Sequence, residues 1–446
     1  MPIAKPTSYQ GLRYEEDWTF LRQNSDNDPW RRLKFIPLGD DGKIYLSMGG
    51  QARFRTERWA NFSFGGPGRR DDTFGLWRVR LHQDLHVGQS FRFFVEAKSA
   101  LLGPDRQLPG GRRTSDVDTV DLQNAFIDLR IPFGGNTTLT LRPGRQELAF
   151  GRERLVGIAD WTNTRKTFDG VRGIAKLGWW RVDTFWARPV RIKKYAFNGN
   201  STDTNFFGAY AVGKIPTTNL VLDVYWLGLD RSNSALGSFV AKENRHTIGA
   251  RTGGKISNSD FDFDVESARQ FGSFGDRDIS AGMFASVLGY HFSKVAGAPR
   301  AYVGFDYASG GNPAGEKIRT YNQLFPSAHP YFGFIDAIGR QNISDLSEGL
   351  SLKPMRRLEV GLDGHVFRRA SAQDALYDPG GNVLRKGSLG LSKNVGSEID
   401  LMLKYAIDAH TVVTTGFSHL FAGDFIKESG SARGIDFAYL ALQYTF

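Results

Sequence analysis

The sequence predicts an all-β chain closed into a transmembrane antiparallel barrel of about eighteen strands, with short periplasmic turns and long extracellular loops. Two observations carry that prediction: side chains alternate with period two along most of the chain, and the gaps between alternating stretches are by turns short and long. A third agrees with them. No apolar run approaches the roughly 18 residues that a membrane helix needs.

Alternation is clearest in five stretches. In 76–87, Trp77, Val79, Leu81, Leu85 and Val87 share one face, and Arg78, Arg80, His82, Asp84 and His86 the other. The stretches 91–98, 261–267, 357–366 and 398–405 repeat the pattern, with Phe91, Phe261, Leu358 and Ile399 each opening an apolar face. A soluble sandwich also alternates, so the connections decide. Short gaps fall near 88–90, 132–136, 178, 215–218, 256–258, 294–298, 353–355 and 407–409. Long ones fall near 60–73, 102–116, 148–167, 190–204, 230–244, 310–345, 370–394 and 421–433, with a shorter one near 272–278. Sorting loops by length onto two sides is a property of outer-membrane barrels, and a sandwich has no reason for it. Eighteen tilted strands leave an aqueous bore. The final strand, with Ala438, Leu440, Leu442, Tyr444 and Phe446 on one face, ends on an aromatic as outer-membrane barrels do for the barrel-insertion machinery.

Composition fits. The mean hydropathy of −0.35 resembles a soluble protein, but lipid-facing and lumen-facing residues cancel in any barrel. With 52 glycines, 13% aromatics and no cysteine, a disulfide scaffold or thiolate metal site is excluded. No linker divides residues 43–446, which form one barrel unit. Residues 1–42 differ, with Glu15, Glu16, Asp17, Arg31 and Arg32 among Trp18 and Trp30. They read as a periplasmic leader able to fold into the barrel mouth as a plug, or as a disordered tail. Met1-Pro2-Ile3 leads straight into polar sequence without an apolar signal core, so a mature form is expected.

The net charge of +10 points to anionic partners. Its carriers lie within alternating strands rather than on a basic helix or arm, which argues against nucleic acid. By strand parity Arg53, Arg55, Arg78, Arg80, Arg92, Lys98, Arg142, Arg181, Arg251, Arg357, Arg369 and Lys404 point inward, with Glu398 and Asp400 among them. A guanidinium stays charged and offers a fork of donors that matches carboxylates, and charged rings on a pore wall are a source of ion selectivity. The opposing expectation is that these groups only solvate the wall and pair with Asp84, Glu96, Asp183, Glu359 and Asp400. Tyr210, Tyr302 and Phe367 are inward candidates for stacking on a sugar.

Other constellations carry less. His82 and His86 would stand about 13 Å apart on a strand, too far to share an ion. Asp260, Asp262, Asp264 and Glu266 form an acidic patch that holds a cation or offsets nearby arginines, and they lack the glycine of a calcium loop. There is no G-x-S-x-G, P-loop, H-E-x-x-H or Cys nucleophile, so neither an enzyme nor a cofactor is expected.

Several segments resemble the alginate-export family of outer-membrane porins: Leu141-Arg142-Pro143-Gly144-Arg145-Gln146 with Phe168-Asp169-Gly170, then Gly396-Ser397-Glu398-Ile399-Asp400-Leu401 with Lys404-Tyr405, and the closing aromatic strand. The resemblance runs from about residue 43 to the end. It implies a Gram-negative outer membrane with its lipid and lipopolysaccharide, a monomeric eighteen-stranded barrel, and an electropositive constriction. The best-known member passes acidic alginate chains outward. Arg80 and Arg142 match the family's basic lumen. Asn124 stands where the exporter carries a pore arginine, and Glu147 replaces another basic residue. The function expected is therefore an anion-preferring channel for acidic, uronate-type oligo- or polysaccharide. A nutrient-uptake porin for small organic acids is the alternative.

Overall fold

The computed structural model describes residues 9–22, 28–39, 42–135, 137–216 and 218–446. Twenty-one strands share one sheet, and three of these are two-residue additions, which leaves eighteen in the wall. In chain order they are β1 (Ile44–Ala60), β2 (Asp72–Val87), β3 (Phe91–Gly103), β4 (Asp118–Pro132), β5 (Thr138–Gln146) and β6 (Phe168–Leu177). Next come β7 (Trp180–Arg191), β8 (Thr204–Lys214), β9 (Asn219–Leu236), β10 (Phe239–Lys255), β11 (Phe261–Phe274) and β12 (Arg277–His291). The last six are β13 (Arg300–Ala308), β14 (Ile343–Met355), β15 (Leu358–Arg369), β16 (Asn394–Ala406), β17 (Thr411–Ala422) and β18 (Ile435–Thr445). Each pairs antiparallel with the next, and β1 pairs with β18 from Gln51↔Thr445 to Ala60↔Asp436, so the sheet has no free edge.

The alternation does what the sequence demands. Trp77, Val79 and Leu81 stay 43–53% exposed on the outside, whereas Arg78 and Arg80 are 2% exposed within. A strand with these two faces has only one stable placement, between lipid and lumen. The two ends are joined by backbone: Gly50 N donates to Phe446 O at 2.8 Å, and Phe446 N donates to Gly50 O at 3.0 Å.

Two glycines explain the motifs that resembled the family. Gly144 of β5 has φ +127°, and a Cβ there would sit 2.3 Å from Ala125 O. Gly396 of β16 has φ +142°, and a Cβ there would lie 2.0 Å from Phe421 O. Only glycine lets the neighbouring strand approach so closely at such a φ.

One loop expectation is corrected. Residues 230–244 are not a long loop: β9 and β10 run on as a hairpin turned at Gly237 (φ +60°). Side chains supply the reason, since Glu243 takes hydrogen bonds from Ser234 and Arg245 and ties the extension together. The stretch 321–342 before β14 folds into the bore, and so does 147–167 between β5 and β6. A six-residue helix, Asp424–Ser429, lies in the last loop. Among the described residues no helix is long and apolar enough to cross a membrane.

Candidate solute pathway

The loops 147–167 and 309–342 meet inside the barrel. Gly157 N donates to Phe325 O and Phe325 N to Leu155 O, both at 2.9 Å. Around this seam Leu148, Leu155, Phe325, Phe332, Ile335 and Ile338 form an apolar cluster that narrows the waist of the bore.

Three of the predicted inward arginines hold this waist. Arg53 donates to Asp160 O (2.8 Å), Trp161 O and Thr162 O. Arg78 donates to Asp160 O, and at 2.8 Å to Asp160 Oδ1. Arg55 donates to Trp161 O and lies 3.8 Å over its ring. Burial opposes ionisation of Asp160, but Arg78, Arg165 and Arg53 outweigh it and hold that carboxyl well below the usual range.

The remaining predicted cations are mostly matched by acids. Arg80 lies 3.4 Å from Glu96. Arg92 grips Asp84 with two bonds of 2.7 Å, and Arg142 grips Asp128 at 2.6 and 2.7 Å while stacking 3.9 Å over Phe126. Lys98 meets Asp118 at 2.8 Å. Arg251 joins Asp264 at 2.6 Å and Asp223 at 2.9 Å. Lys404 of β16 keeps an exposed side chain on the inward side of its strand, toward the periplasmic end.

Four predicted pore residues bond the protein itself rather than a solute. Arg357 lies exposed in the turn between β14 and β15, where it donates to Ile407 O at 2.8 Å; β15 begins only at Leu358, so strand parity no longer governs it. Arg369 is buried beneath the loop 370–393, where it donates to Ala372 O, Asp374 O, Leu391 O and Ser392 O with Phe425 at 3.6 Å. Glu398 and Asp400 accept backbone N–H groups from Ile335 and Phe334, at 2.9 and 3.3 Å, and so hang the second loop on the wall.

The stacking candidates are also occupied. Tyr210 lies between Phe150 and Tyr225 and donates to Asp223; Tyr302 donates to Asp363; Phe367 is buried against His365. In the acidic patch, Asp264 and Glu266 take Arg154 at 2.6 and 3.1 Å, and Asp262 takes Arg300 at 2.6 Å. Arginines offset the patch. His82 stacks on Phe94, and His86 pairs with Asp84. Asn124 and Glu147 bond each other, Asn124 Nδ2 donating to Glu147 Oε2 at 3.1 Å, while Arg165 meets Glu147 at 2.7 Å.

An open space remains between these loops and the periplasmic rim. A chamber of about 800 Å³ is bounded by Ala149–Gly151 of the first loop and by the turns at Gly135 and Gly178. Arg130, Arg172, Lys176, Arg181 and Lys214 line it, against only Glu15 and Asp183. Arg172 and Arg181 share Asp183, at 2.8 and 2.9 Å. Arg130, Lys176 and Lys214 form no ion pair among the described residues. Of the expected residues only Arg181 lines this chamber; the other four obey the same alternation on β4, β6 and β8 and were legible by it.

Residues from the N-terminal stretch enter the bore from this side. Tyr14 OH donates to Glu147 O at 2.8 Å, Tyr14 O accepts from Arg92 at 2.7 Å, and Gly11 O accepts from Arg165. Tyr14 sits edge-on to Phe94 and Phe126, and Trp30 lies 4.4 Å from Phe446. Lys34 is fully buried beside Tyr9 and Trp18, and burial lowers its pKa to about 7. Residues 1–8, 23–27, 40 and 41 of this stretch lie outside the described residues.

Solved structures share the barrel. A Pseudomonas aeruginosa outer-membrane protein, OpdK, aligns with TM-score 0.60 at 12% identity, covering 90% of this chain and 99% of its own. OccK2 (OpdF) of the same species, solved in complex with glucuronate, aligns with TM-score 0.59 at 12% identity, covering 90% and 98%. Among curated proteins, no relative matches the sequence. The family model described as alginate export matches residues 44–438, nearly the whole barrel. The chain belongs to the alginate-export family and is an outer-membrane β-barrel porin of a Gram-negative bacterium.

Proposed function

We propose that this porin is an anion-preferring channel for acidic sugars of the uronate type, from single acids to short oligomers. The carrying observation is the chamber, where five cations face two carboxylates in a space of about 800 Å³. In a confined, water-filled site such an excess raises the local anion concentration, and guanidiniums offer paired donors to a carboxylate. The structure of OccK2 with glucuronate supports a solute of this class in a barrel of similar fold. Family membership favours a second reading, passage of an acidic polysaccharide, which requires the narrowed waist to widen. Uptake of small organic acids uses the same chamber.

The N-terminal segment acts in this proposal as a periplasmic plug, because Tyr14 reaches the constricting loop through Glu147. Planar-bilayer recording tests the reading. Glucuronate and oligo-uronates should block current at lower concentration than neutral sugars, and Arg130→Gln/Lys176→Gln/Lys214→Gln should abolish that difference. Unchanged ion selectivity in this triple variant would refute the chamber's role.

A further inference from the structure

The outer wall carries a second cavity that solute passage does not use. It has a volume of about 640 Å³ and lies where β13 stops short. β13 ends at Ala308, while β12 continues to Arg277, and the chain leaves the sheet at Ser309–Gly310 before Lys317–Ile318 pairs with the top of β12. This departure opens a notch whose lower wall is lipid-facing, since Ile248, Phe284 and Tyr307 are each 38–48% exposed. Gly282 forms its floor, and Arg269 and Arg319 stand over it.

Both guanidiniums are exposed. Arg269 donates to Ser280 Oγ at 2.9 Å, and neither forms an ion pair among the described residues. The inward arginines described above have their explanation in the lumen or under a loop. Arg269 has none there, because its strand parity places it outside with Ile248 and Gly282, in register across β10–β12. A lipid-facing arginine is costly at mid-membrane and tolerable only near the interface. Arg269 is the ninth residue of β11 counted from its periplasmic end at Phe261, and about 9–11 residues cross the hydrocarbon. It therefore sits at the outer-leaflet headgroup level, with apolar side chains below it.

We infer that this notch binds a phosphate-bearing glycolipid of the outer leaflet. The phosphate would lie between Arg269 and Arg319, with Ser280 as a neighbouring hydroxyl, and an acyl chain would run along Ile248, Phe284 and Tyr307. Phosphate matches the fork geometry of two guanidiniums, and the apolar wall below selects a lipid over a free anion.

The test uses native mass spectrometry of the full barrel in detergent, titrated with bisphosphorylated lipid A, dephosphorylated lipid A or inorganic phosphate. Wild type should retain one bisphosphorylated molecule that Arg269→Gln/Arg319→Gln loses, with affinity falling at least tenfold. Arg58→Gln/Arg368→Gln, exposed positions elsewhere on the outer wall, should behave as wild type and show that the loss is local. The inference fails if the Arg269/Arg319 variant keeps its affinity while channel conductance shows it folded, or if dephosphorylated lipid A binds as tightly. It also fails if inorganic phosphate competes at equal concentration, which would mark a free-anion site.

Discussion

The waist and the periplasmic chamber are both lined with arginine, yet they use it differently. At the waist, the side chains of Arg53, Arg55 and Arg78 bond carbonyls of residues 160–162 and the Asp160 carboxylate. In the chamber, Arg130, Lys176 and Lys214 form no ion pair among the described residues. A guanidinium already bonded to three acceptors has little left for a solute, whereas an unpaired one carries its full field into the water. Position on the inner wall is thus a poor measure of function. Vacancy of the donors is the better one.

That difference can be broken from either side. The largest effect is expected at the waist: Arg53→Gln/Arg55→Gln/Arg78→Gln should free the first loop and raise single-channel conductance several-fold. Each buried group left unpaired costs about 1–3 kcal/mol, enough in sum to undock a loop. Ion selectivity should change little. The chamber triple should do the opposite, lowering the anion-to-cation permeability ratio several-fold in reversal-potential measurements while conductance stays within about twofold. If the two triples have the same signature, the distinction between bonded and vacant cations is wrong.

A smaller effect is expected at the N-terminal segment that we propose as a plug. Among the described residues Lys34 Nζ has no hydrogen-bond partner, and burial sets its pKa at about 7 rather than the ordinary 10.5, with repulsion from Arg13 adding to the shift. Between about pH 7 and 10.5 the undocked segment holds a proton that the docked one lacks, so docking strengthens as pH rises through this window and levels off on either side. The chain has no cysteine, so a spin label at Asp17→Cys reports the segment alone. Its mobility should fall from pH 7 to pH 9.5. Lys34→Met removes the buried charge and should leave the label immobile at both values; persistence of the pH response would move its origin elsewhere.

Much of the architecture was legible in the residues. Alternation set each strand and its two faces, because side chains of neighbouring residues must point to opposite sides of a sheet, a purely local rule. The loop lengths placed the two ends, and the exception at 230–244 arose because Glu243 extends a hairpin beyond the membrane by pairing that alternation cannot register. Parity also brought out the inward arginines, and it extended equally to Arg130, Arg172, Lys176 and Lys214. It failed at Arg357, which lies in the turn before β15 begins.

The chain alone determined that cations would face a closed lumen. Which of them stay vacant was decided only in three dimensions, because their partners arrive from far away in sequence: Asp160 reaches Arg78 across 82 positions, and Phe334 and Ile335 reach Asp400 and Glu398 across 66 and 63. Facing direction follows from adjacent peptide geometry, whereas neutralisation depends on where two folded-in loops come to rest.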